Sequence, residues 1–326
     1  MHAMDNRINQ YTLKSCFFLL LAMGLVWQVQ AQKEPQYTQY MYNIGSFNPA
    51  YVGTVETPEI IGLYRAQWID IEGAPRTIRV GANLPMKNEK HGLGINIVND
   101  QLGPSTQTFI DASYSFQIKL DEAVKLSFGI DAGGSMLNVD YSKGLFEVSG
   151  EVENVNKFYP TVGAGTFLYS DKWYVGISAP NFLTNGLYDE EVAKVIEEKI
   201  QLNFIAGYVF DLSENLEFKP AALLNTLSGA PLNLNLSANF RYARQFTLGV
   251  GYHVDNAISG LAGFQLAPST FVGYAYDYNT NNLADYNNGS HEIILKFYLG
   301  KKGSSTKKKG GKDKNKIKQI DTPRFF

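Results

Sequence analysis

The chain of 326 residues contains a single cysteine, Cys16. Cys16 lies in an apolar run at residues 16–29, which follows two basic residues and precedes a Val-Gln-Ala sequence ending at Ala31. These features predict a secretory signal peptide over residues 1–31. The mature chain then has no cysteine, which excludes a disulfide framework and thiol catalysis.

Long apolar runs are also missing after Ala31, so no segment there is expected to cross a bilayer as a helix.

Charge is divided unevenly along the chain. Residues 32–300 carry 17 basic and 28 acidic side chains, a net of −11, whereas residues 301–326 carry ten basic and two acidic, a net of +8. The chain is therefore an acidic body with a basic tail, and nothing in the body indicates nucleic-acid binding.

Histidine is scarce, and only His91, His253 and His291 follow the signal peptide. No pair of them has the spacing of metal ligands, and the sequence has no Gly-x-Ser-x-Gly elbow and no phosphate-binding loop. We therefore predict no metal, no cofactor and no enzymatic activity. His253 lies beside Asp255 near an expected turn, where a solvated side chain is the simpler interpretation.

The pattern that is present is alternation. In residues 231–240 the apolar side chains of Leu232, Leu234 and Leu236 alternate with the polar side chains of Asn233 and Asn235. Successive side chains of a strand point to opposite faces, so such a segment has one apolar and one polar wall. Because this division recurs along residues 58–300, the sequence predicts a transmembrane antiparallel β-barrel of the bacterial outer membrane, with lipid outside and a polar lumen.

Fourteen strands are predicted, an even number as in single-chain bacterial barrels. Their expected bounds are residues 59–68, 76–84, 92–99, 106–118, 124–134, 161–169, 173–179, 201–210, 216–224, 232–240, 246–252, 257–266, 270–278 and 291–299. Glycines 92, 94, 133 and 134 are interpreted as strand positions at which another backbone approaches closely, rather than as a cofactor cradle.

Connections of different length alternate between these strands. Short connections are expected near residues 120–122, 170–172, 211–215, 242–245 and 267–269, and long ones at 137–160, 180–200 and 279–290. Outer-membrane barrels keep short turns in the periplasm and long loops outside, which places both ends of the mature chain in the periplasm. Within the second long loop, residues 189–200 have helical apolar spacing and are predicted to cap the external rim.

Polar side chains of both signs are expected to face the lumen. Their mixture favours internal pairing or a plug over a strongly selective pore, and the lumen is either hydrated or filled by a peptide. The lumen-facing candidates are Arg65, Gln67, Arg79, Asn96, Asp100, Asp111, Lys125 and Asp131. A transporter or porin for small or hydrophobic solutes is one function that such a barrel could have.

Several blocks of the mature chain resemble the PorP/SprF family of type IX secretion membrane proteins. The blocks include QYTQYMYNIGSFNPAYVGT at residues 36–54, GLYRAQW at 62–68 followed by EGAPRT at 72–77, and DKWYVGISAP at 171–180. Further matches are Gly92-Leu93-Gly94, Phe218-Lys219-Pro220 and Ser290-His291-Glu292-Ile293.

The resemblance implies an outer-membrane barrel that serves proteins exported by the type IX pathway. Implied partners are a large secreted surface protein such as an adhesin, held through its C-terminal domain, and a periplasmic peptidoglycan-associated protein. In gliding bacteria this supports adhesin secretion or anchoring. The lipid of the outer membrane is the third expected partner.

Three segments are candidates for binding a partner. Residues 32–57 are expected inside or across the periplasmic mouth, with Tyr37, Tyr40, Asn48 and Pro49 as contact residues; a loose leader is the alternative. Trp68 with Gly73, Ala74 and Pro75 is expected at the first external loop, either as a client-facing surface or as part of an interfacial aromatic girdle.

The third candidate is the tail over residues 301–326. Its Lys, Gly and Ser content predicts a solvated periplasmic linker. It ends in Pro323, Arg324, Phe325 and Phe326, a short peptide that is predicted to dock in a partner.

Overall fold

The computed structural model describes residues 35–87, 90–143, 154–183, 200–227 and 231–299. The strands between Glu59 and Tyr298 form one closed antiparallel sheet. Its strands are β1 (Glu59–Ala66), β2 (Arg76–Pro85), β3 (His91–Leu102), β4 (Ser105–Lys119), β5 (Lys125–Val139), β6 (Val155–Tyr169), β7 (Trp173–Ala179), β8 (Gln201–Tyr208), β9 (Phe210–Ser213), β10 (Leu216–Leu227), β11 (Asn233–Tyr242), β12 (Phe246–His253), β13 (Ala257–Ala267), β14 (Thr270–Asn279) and β15 (Ser290–Tyr298).

The sheet closes because its first and last strands pair with each other. Glu59 of β1 lies opposite Tyr298 of β15, and Ala66 lies opposite His291. Strands β8 and β9 are two pieces of one strand, since both pair with β10 and only Val209 separates them. The barrel therefore has fourteen strands around its circumference and no free edge. The predicted fourteen-stranded antiparallel barrel is confirmed.

Burial alternates along the strands as the sequence pattern requires. In β11, the outward side chains of Leu236 and Phe240 are exposed, whereas the inward side chains of Asn235 and Asn239 are buried. Apolar side chains on the outer surface of a closed barrel are stable only against lipid. The outer wall is therefore the membrane-facing wall.

Three strands, β3, β5 and β6, are longer than predicted by at least four residues. Strands β5 and β6 pair over their whole length, from Lys125 opposite Tyr169 to Val139 opposite Val155. The prediction ended at residue 134 and resumed at 161 because Gly and Pro usually interrupt strands. Here Pro160 lies opposite Gly134 within the ladder. Strand β3 likewise continues to Leu102, where it pairs with the start of β4.

Strand β1 is shorter than predicted and ends at Ala66. Trp68 has a φ of 46° and Asp70 a φ of 75°, both in the left-handed region. A strand cannot continue through such a backbone, so the chain turns there.

Two ends of the barrel are distinguished by their connections. The short-turn end carries the turns at residues 86–90, 120–124, 170–172, 214–215, 243–245 and 268–269. The long-loop end carries residues 67–75, 140–154, 180–200 and 280–289, together with three shorter connections at 103–104, 228–232 and 254–256. The predicted helix at 189–200 lies outside the described residues except for Ile200.

Among the described residues, no helix is long and apolar enough to cross a membrane. The helical turns that are described are short 3₁₀ segments, and three of them lie close together at Tyr40–Tyr42, Ile44–Ser46 and Pro49–Tyr51. These three belong to the chain that precedes β1.

Candidate functional site: the occupied lumen

The chain ahead of β1 lies inside the ring of strands. This inner segment, residues 36–57, is almost entirely buried between Tyr37 and Thr54. Tyr40 is 1% exposed and Ala50 is 0% exposed, as deep as any residue of the strands. The segment therefore contributes much of the interior of the barrel.

Local sequence determines one turn of the inner segment. Asn48 lies at the N-cap of the 3₁₀ turn Pro49–Tyr51, and its side-chain Oδ1 accepts a hydrogen bond from the Ala50 N–H at 3.0 Å. Asn is a preferred N-cap residue, and Pro is favoured at the first helical position. The Asn48 Nδ2 also donates to the Thr166 carbonyl of β6 at 3.1 Å. One side chain thus holds the turn and ties it to the wall.

An ion cluster holds the first part of the inner segment. The two carboxylate oxygens of Glu292 accept the backbone N–H groups of Thr38 at 2.9 Å and Gln39 at 2.8 Å. The Thr38 hydroxyl donates to Asp277 at 2.7 Å. Arg65 lies between the acids, 2.7 Å from Asp277 and 3.1 Å from Glu292. Buried charges are tolerated when they are paired and hydrogen-bonded, as the carboxylates are here.

Aromatic side chains hold the middle of the segment. The Tyr40 hydroxyl donates to the Ala221 carbonyl of β10 at 2.9 Å. The Lys219 ammonium lies 5.9 Å from the centre of the Tyr42 ring and 5.4 Å from that of Tyr174, which is within cation–π range.

Glycines of the wall give the inner segment room. A Cβ on Gly129 of β5 would lie 2.2 Å from the Ala50 nitrogen, and one on Gly165 of β6 would lie 2.3 Å from Asn48 Oδ1. A Cβ on Gly92 of β3 would lie 2.4 Å from the Gly53 Cα. The sequence predicted close backbone approach at Gly92, and the structure confirms it.

The last part of the inner segment lies at the short-turn end. The Gln117 Nε2 donates to the Gly53 carbonyl at 2.7 Å, and the Ser115 hydroxyl donates to the Val52 carbonyl. Just beyond, Glu59 lies 3.2 Å from Lys296 of β15 and accepts from Asn83 Nδ2 at 2.6 Å. The segment therefore enters β1 through a second buried ion pair.

Apolar wall residues complete the packing, so the lumen is polar only in part. The Phe271 ring meets Tyr42 edge to face at 5.6 Å between ring centres, and Phe167 meets Tyr51 at 5.5 Å. The inner segment contains four Tyr residues together with Met41, Ile44 and Phe47, so it needs apolar partners, and the wall supplies them. The buried apolar wall residues of this cluster are Ile61, Leu63, Phe167, Tyr169, Tyr174, Ile205, Ala221, Leu223, Leu261, Phe271, Ala275 and Ile294.

Several predicted lumen-facing residues take part in internal pairs. Arg65 belongs to the ion cluster, and Arg79 Nε donates to Asn96 Oδ1 at 2.7 Å with both side chains buried. Asp100 accepts from the Thr77 hydroxyl at 2.6 Å, and Asp111 accepts from the Thr161 hydroxyl at 2.7 Å. Of these residues, Arg65 is paired with opposite charges, whereas Arg79, Asp100 and Asp111 are hydrogen-bonded to neutral side chains.

The other three lumen candidates have different surroundings. Lys125 and Asp131 lie on the same face of β5 as the fully buried Ser127, because residues two and four apart share a face. Both are half-buried. Gln67 lies beyond the end of β1, where its N–H donates to the Pro75 carbonyl at 3.0 Å.

The candidate partner-binding residues fall into three groups. Tyr37, Tyr40, Asn48 and Pro49 are buried in the lumen and contact the wall, so they present no surface to a partner while the segment stays there. Trp68, Gly73, Ala74 and Pro75 lie in the connection after β1 at the long-loop end. Pro323, Arg324, Phe325 and Phe326 lie outside the described residues.

The connection after β1 is held by its neighbours. The Ile69 N–H donates to the Gly289 carbonyl at 2.9 Å, and the Asn288 N–H donates back to the Ile69 carbonyl at 3.0 Å. On the other side, the Gly103 N–H donates to the Gly73 carbonyl at 2.8 Å. This connection therefore forms a fixed part of the rim.

His253 is buried, which corrects the expectation of a solvated side chain. It is 8% exposed, faces the lumen from the end of β12, and its Nδ1 is hydrogen-bonded to Asn235 Oδ1. Asp255 is exposed in the following turn. The alternation of β12 continues through His253, so its inward position could have been inferred from the spacing of the apolar residues before it.

The sequence did not lead us to predict the three buried acids that hold the inner segment and the start of β1. Glu59, Asp277 and Glu292 are almost fully buried, at 1%, 3% and 0% exposure. Each occupies an inward position of its strand. The sequence did contain a signal for these acids, because a charged residue at an inward strand position with apolar inward neighbours indicates a buried ion pair. In the part of the chain that the structure describes, no group of three or more His, Cys, Asp or Glu residues could hold a metal ion.

A closed antiparallel barrel with an apolar outer wall defines a β-barrel protein of the bacterial outer membrane. The chain belongs to the PorP/SprF family of type IX secretion system membrane proteins, whose match covers residues 29–297. No curated protein matches this chain.

Three solved structures are similar to this chain in fold. A Pseudomonas aeruginosa FadL homologue is 12% identical, with 82% of this chain and 95% of that chain covered and a TM-score of 0.44. The CymD monoaromatic hydrocarbon channel is 12% identical, with 81% and 93% covered and a TM-score of 0.47. The Acinetobacter baumannii outer membrane protein Omp33 is 9% identical, with 76% and 100% covered and a TM-score of 0.43. Similarity at this level carries no argument about function.

The sequence blocks that resemble the family converge on the inner segment. Arg65 and Glu292 come from separate blocks and meet at Thr38. Gly92 lies against Gly53, and Gly176 lies against Asn48. These blocks, distant along the chain, therefore share one structural task, which is to seat the inner segment in the lumen.

Proposed function

We propose that this protein is a non-enzymatic outer-membrane partner of the type IX secretion pathway. In this role it helps to export or anchor a large surface protein, such as an adhesin, through the C-terminal domain of that protein. It also connects to a peptidoglycan-associated protein in the periplasm. The family supports the pathway, whereas the client and the anchoring step are our inference.

The observation that carries this proposal is the occupied lumen. A transporter or porin needs a path for its solute, and here the path is filled by buried residues such as Tyr40 and Met41, at 1% and 3% exposure. Removing the inner segment would take from Glu292 the hydrogen bonds that it accepts from the Thr38 and Gln39 N–H groups, and a buried acceptor without its donors costs about 1–3 kcal/mol. A barrel closed in this way is better suited to binding at its two ends than to conducting solutes.

The long-loop end offers the surface for the exported protein. The connection at 67–75 is held by hydrogen bonds to both neighbouring connections. Trp68 is half-buried there, and Asp70 and Glu72 are exposed. A fixed rim loses little conformational entropy on binding, which favours affinity. The basic tail follows β15, which ends at the short-turn end, and so is suited to a periplasmic partner.

Affinity purification tests the proposal. A small tag is placed in the loop at residues 184–199, and the outer membrane is solubilised in mild detergent. Mass spectrometry is expected to identify one large exported protein, together with a periplasmic peptidoglycan-binding protein. Recovery of the barrel alone, with solute conductance in planar bilayers, would replace the proposal with the transporter alternative.

A pair of tryptophan variants refines this test. Trp68→Ala removes an aromatic at the long-loop end, and Trp173→Ala removes one at the start of β7, at the short-turn end. If Trp68 contacts the client, Trp68→Ala lowers client recovery at least several-fold while Trp173→Ala does not. Equal recovery from both variants would assign Trp68 to the interfacial girdle instead.

A further inference from the structure

The inner segment has a direction, and its first residues lie at the long-loop end. The Gln36 Oε1 accepts a hydrogen bond from Asn233 Nδ2 at 3.0 Å. Asn233 is the first residue of β11, directly after the connection at 228–232. Thr38 is hydrogen-bonded to Asp277, which lies opposite Ser290, the first residue of β15. Both contacts are therefore near the rim that carries the long loops.

The last residues of the segment lie at the other end. Gly53 is hydrogen-bonded to Gln117, two residues from the end of β4 at Lys119. Glu59 then begins β1 opposite Tyr298, the last residue of β15. From Gln36 to Glu59 the chain thus crosses the lumen from the long-loop end to the short-turn end. The segment expected inside or across the periplasmic mouth thus extends through the depth of the lumen.

A chain of carboxamides fixes the first residues in place. Asn233 Oδ1 accepts from Asn235 Nδ2 at 2.7 Å, and Asn235 Nδ2 also lies 3.4 Å from Asn225 Oδ1. Asn225 Nδ2 in turn donates to Asn203 Oδ1 at 2.7 Å. Gln36 is therefore attached to a hydrogen-bonded row that spans strands β8, β10 and β11. These hydrogen bonds from the barrel wall hold Gln36 at the long-loop end.

Chain length decides where the processed amino terminus lies. Cleavage after Ala31 leaves four residues ahead of Gln36, and four residues span at most about 14 Å when fully extended. The apolar band of an outer-membrane barrel is about 25 Å tall. Four residues are too few to return from Gln36 to the short-turn end, even by the straightest route through the lumen.

We infer that the inner segment is threaded through the barrel with its amino end outward, so that the processed amino terminus opens on the cell surface beside the long loops. This replaces the expectation that both mature termini lie in the periplasm. The carboxyl tail follows β15 and therefore starts at the opposite, periplasmic end. The inference is independent of which client the protein binds.

Cysteine labelling of whole cells tests this topology. The only native cysteine, Cys16, lies in the predicted signal peptide, so an introduced cysteine is the single thiol of the mature protein. Pro35→Cys places the thiol at a half-buried position ahead of the inner segment. Tyr286→Cys marks the long-loop end, where Tyr286 is 73% exposed, and Ser269→Cys marks the short-turn end.

With a membrane-impermeant maleimide, Pro35→Cys is expected to react in intact cells to at least one third of the extent of Tyr286→Cys. Ser269→Cys is expected to react only after lysis. Gln36→Cys serves as the second variant if Pro35→Cys fails to assemble. The inference is overturned if the thiol at position 35 or 36 reacts only after lysis, as at 269, or only after the protein is unfolded.

Discussion

Gly53 of the inner segment and Gly92 of β3 lie with their backbones in contact. A Cβ on Gly53 would lie 2.3 Å from the Gly92 Cα, and a Cβ on Gly92 would lie 2.4 Å from the Gly53 Cα. Gly53 also has a φ of 75°, which other residues adopt with strain. This contact joins the end of the inner segment to the barrel wall and leaves no room for any side chain.

Replacing Gly92 with Ala is therefore expected to destabilise the folded barrel. Overpacking a closely packed interior costs about 1–3 kcal/mol. The free energy of unfolding, measured by denaturant titration in detergent micelles, should fall by this amount. Gly260→Ala is the matched control, because a Cβ on Gly260 of β13 meets nothing within 4 Å. Equal stability of the two variants would show that the Gly53–Gly92 contact is not close in solution.

Glu292→Gln is expected to be strongly destabilising. It removes one of the two acids that neutralise Arg65, and breaking a buried ion pair costs about 3–5 kcal/mol. Denaturant titration again measures the effect. Asp211→Asn is the control, because the Lys172–Asp211 pair is about half exposed and such pairs contribute about 0–1 kcal/mol. A small effect of Glu292→Gln would mean that water reaches the ion cluster and that the lumen is more open than described.

Truncation after Gly300 should leave the barrel intact. All residues that close the β1–β15 seam are kept, including Tyr298, which lies opposite Glu59. The shortened protein is expected to reach the outer membrane at the wild-type level and to show the same heat-dependent shift in electrophoretic mobility. It should lose the periplasmic partner while keeping the exported client.

If the truncated protein instead fails to insert, residues 301–326 act in assembly and not in docking. A second variant separates length from sequence: Phe325→Ala with Phe326→Ala keeps the basic linker and removes the aromatic end. Loss of the periplasmic partner in this variant as well would place the docking contact in the last residues.

The outer wall of the barrel was predictable from sequence, and the inner wall was not. Lipid demands an apolar side chain at every second position, as in Leu232, Leu234 and Leu236, and this demand does not depend on any other part of the chain. Thirteen of the fourteen predicted strands correspond to one described strand each, and the remaining one, 201–210, corresponds to β8 with the start of β9.

The inner wall depends on what fills it. Ile61, Phe167 and Phe271 are apolar at inward positions because they pack on Tyr42, Tyr51 and their neighbours. Such pairs are separated by many residues in the chain, and single-sequence periodicity carries no information about them. The same holds for Arg65 and Glu292, which are 227 residues apart. The strand pattern marked Arg65 as lumen-facing in advance, and the resemblance blocks contain both Arg65 and Glu292, but neither pointed to their pairing.

Conductance of the purified protein in planar lipid bilayers tests the central claim most directly, which is that the barrel is closed by its own inner segment. The wild-type protein is expected to insert without a steady ionic current, and deletion of residues 36–54 is expected to produce open pores. A steady current through the wild-type barrel, unchanged by the deletion, would contradict the occupied lumen and favour a transporter.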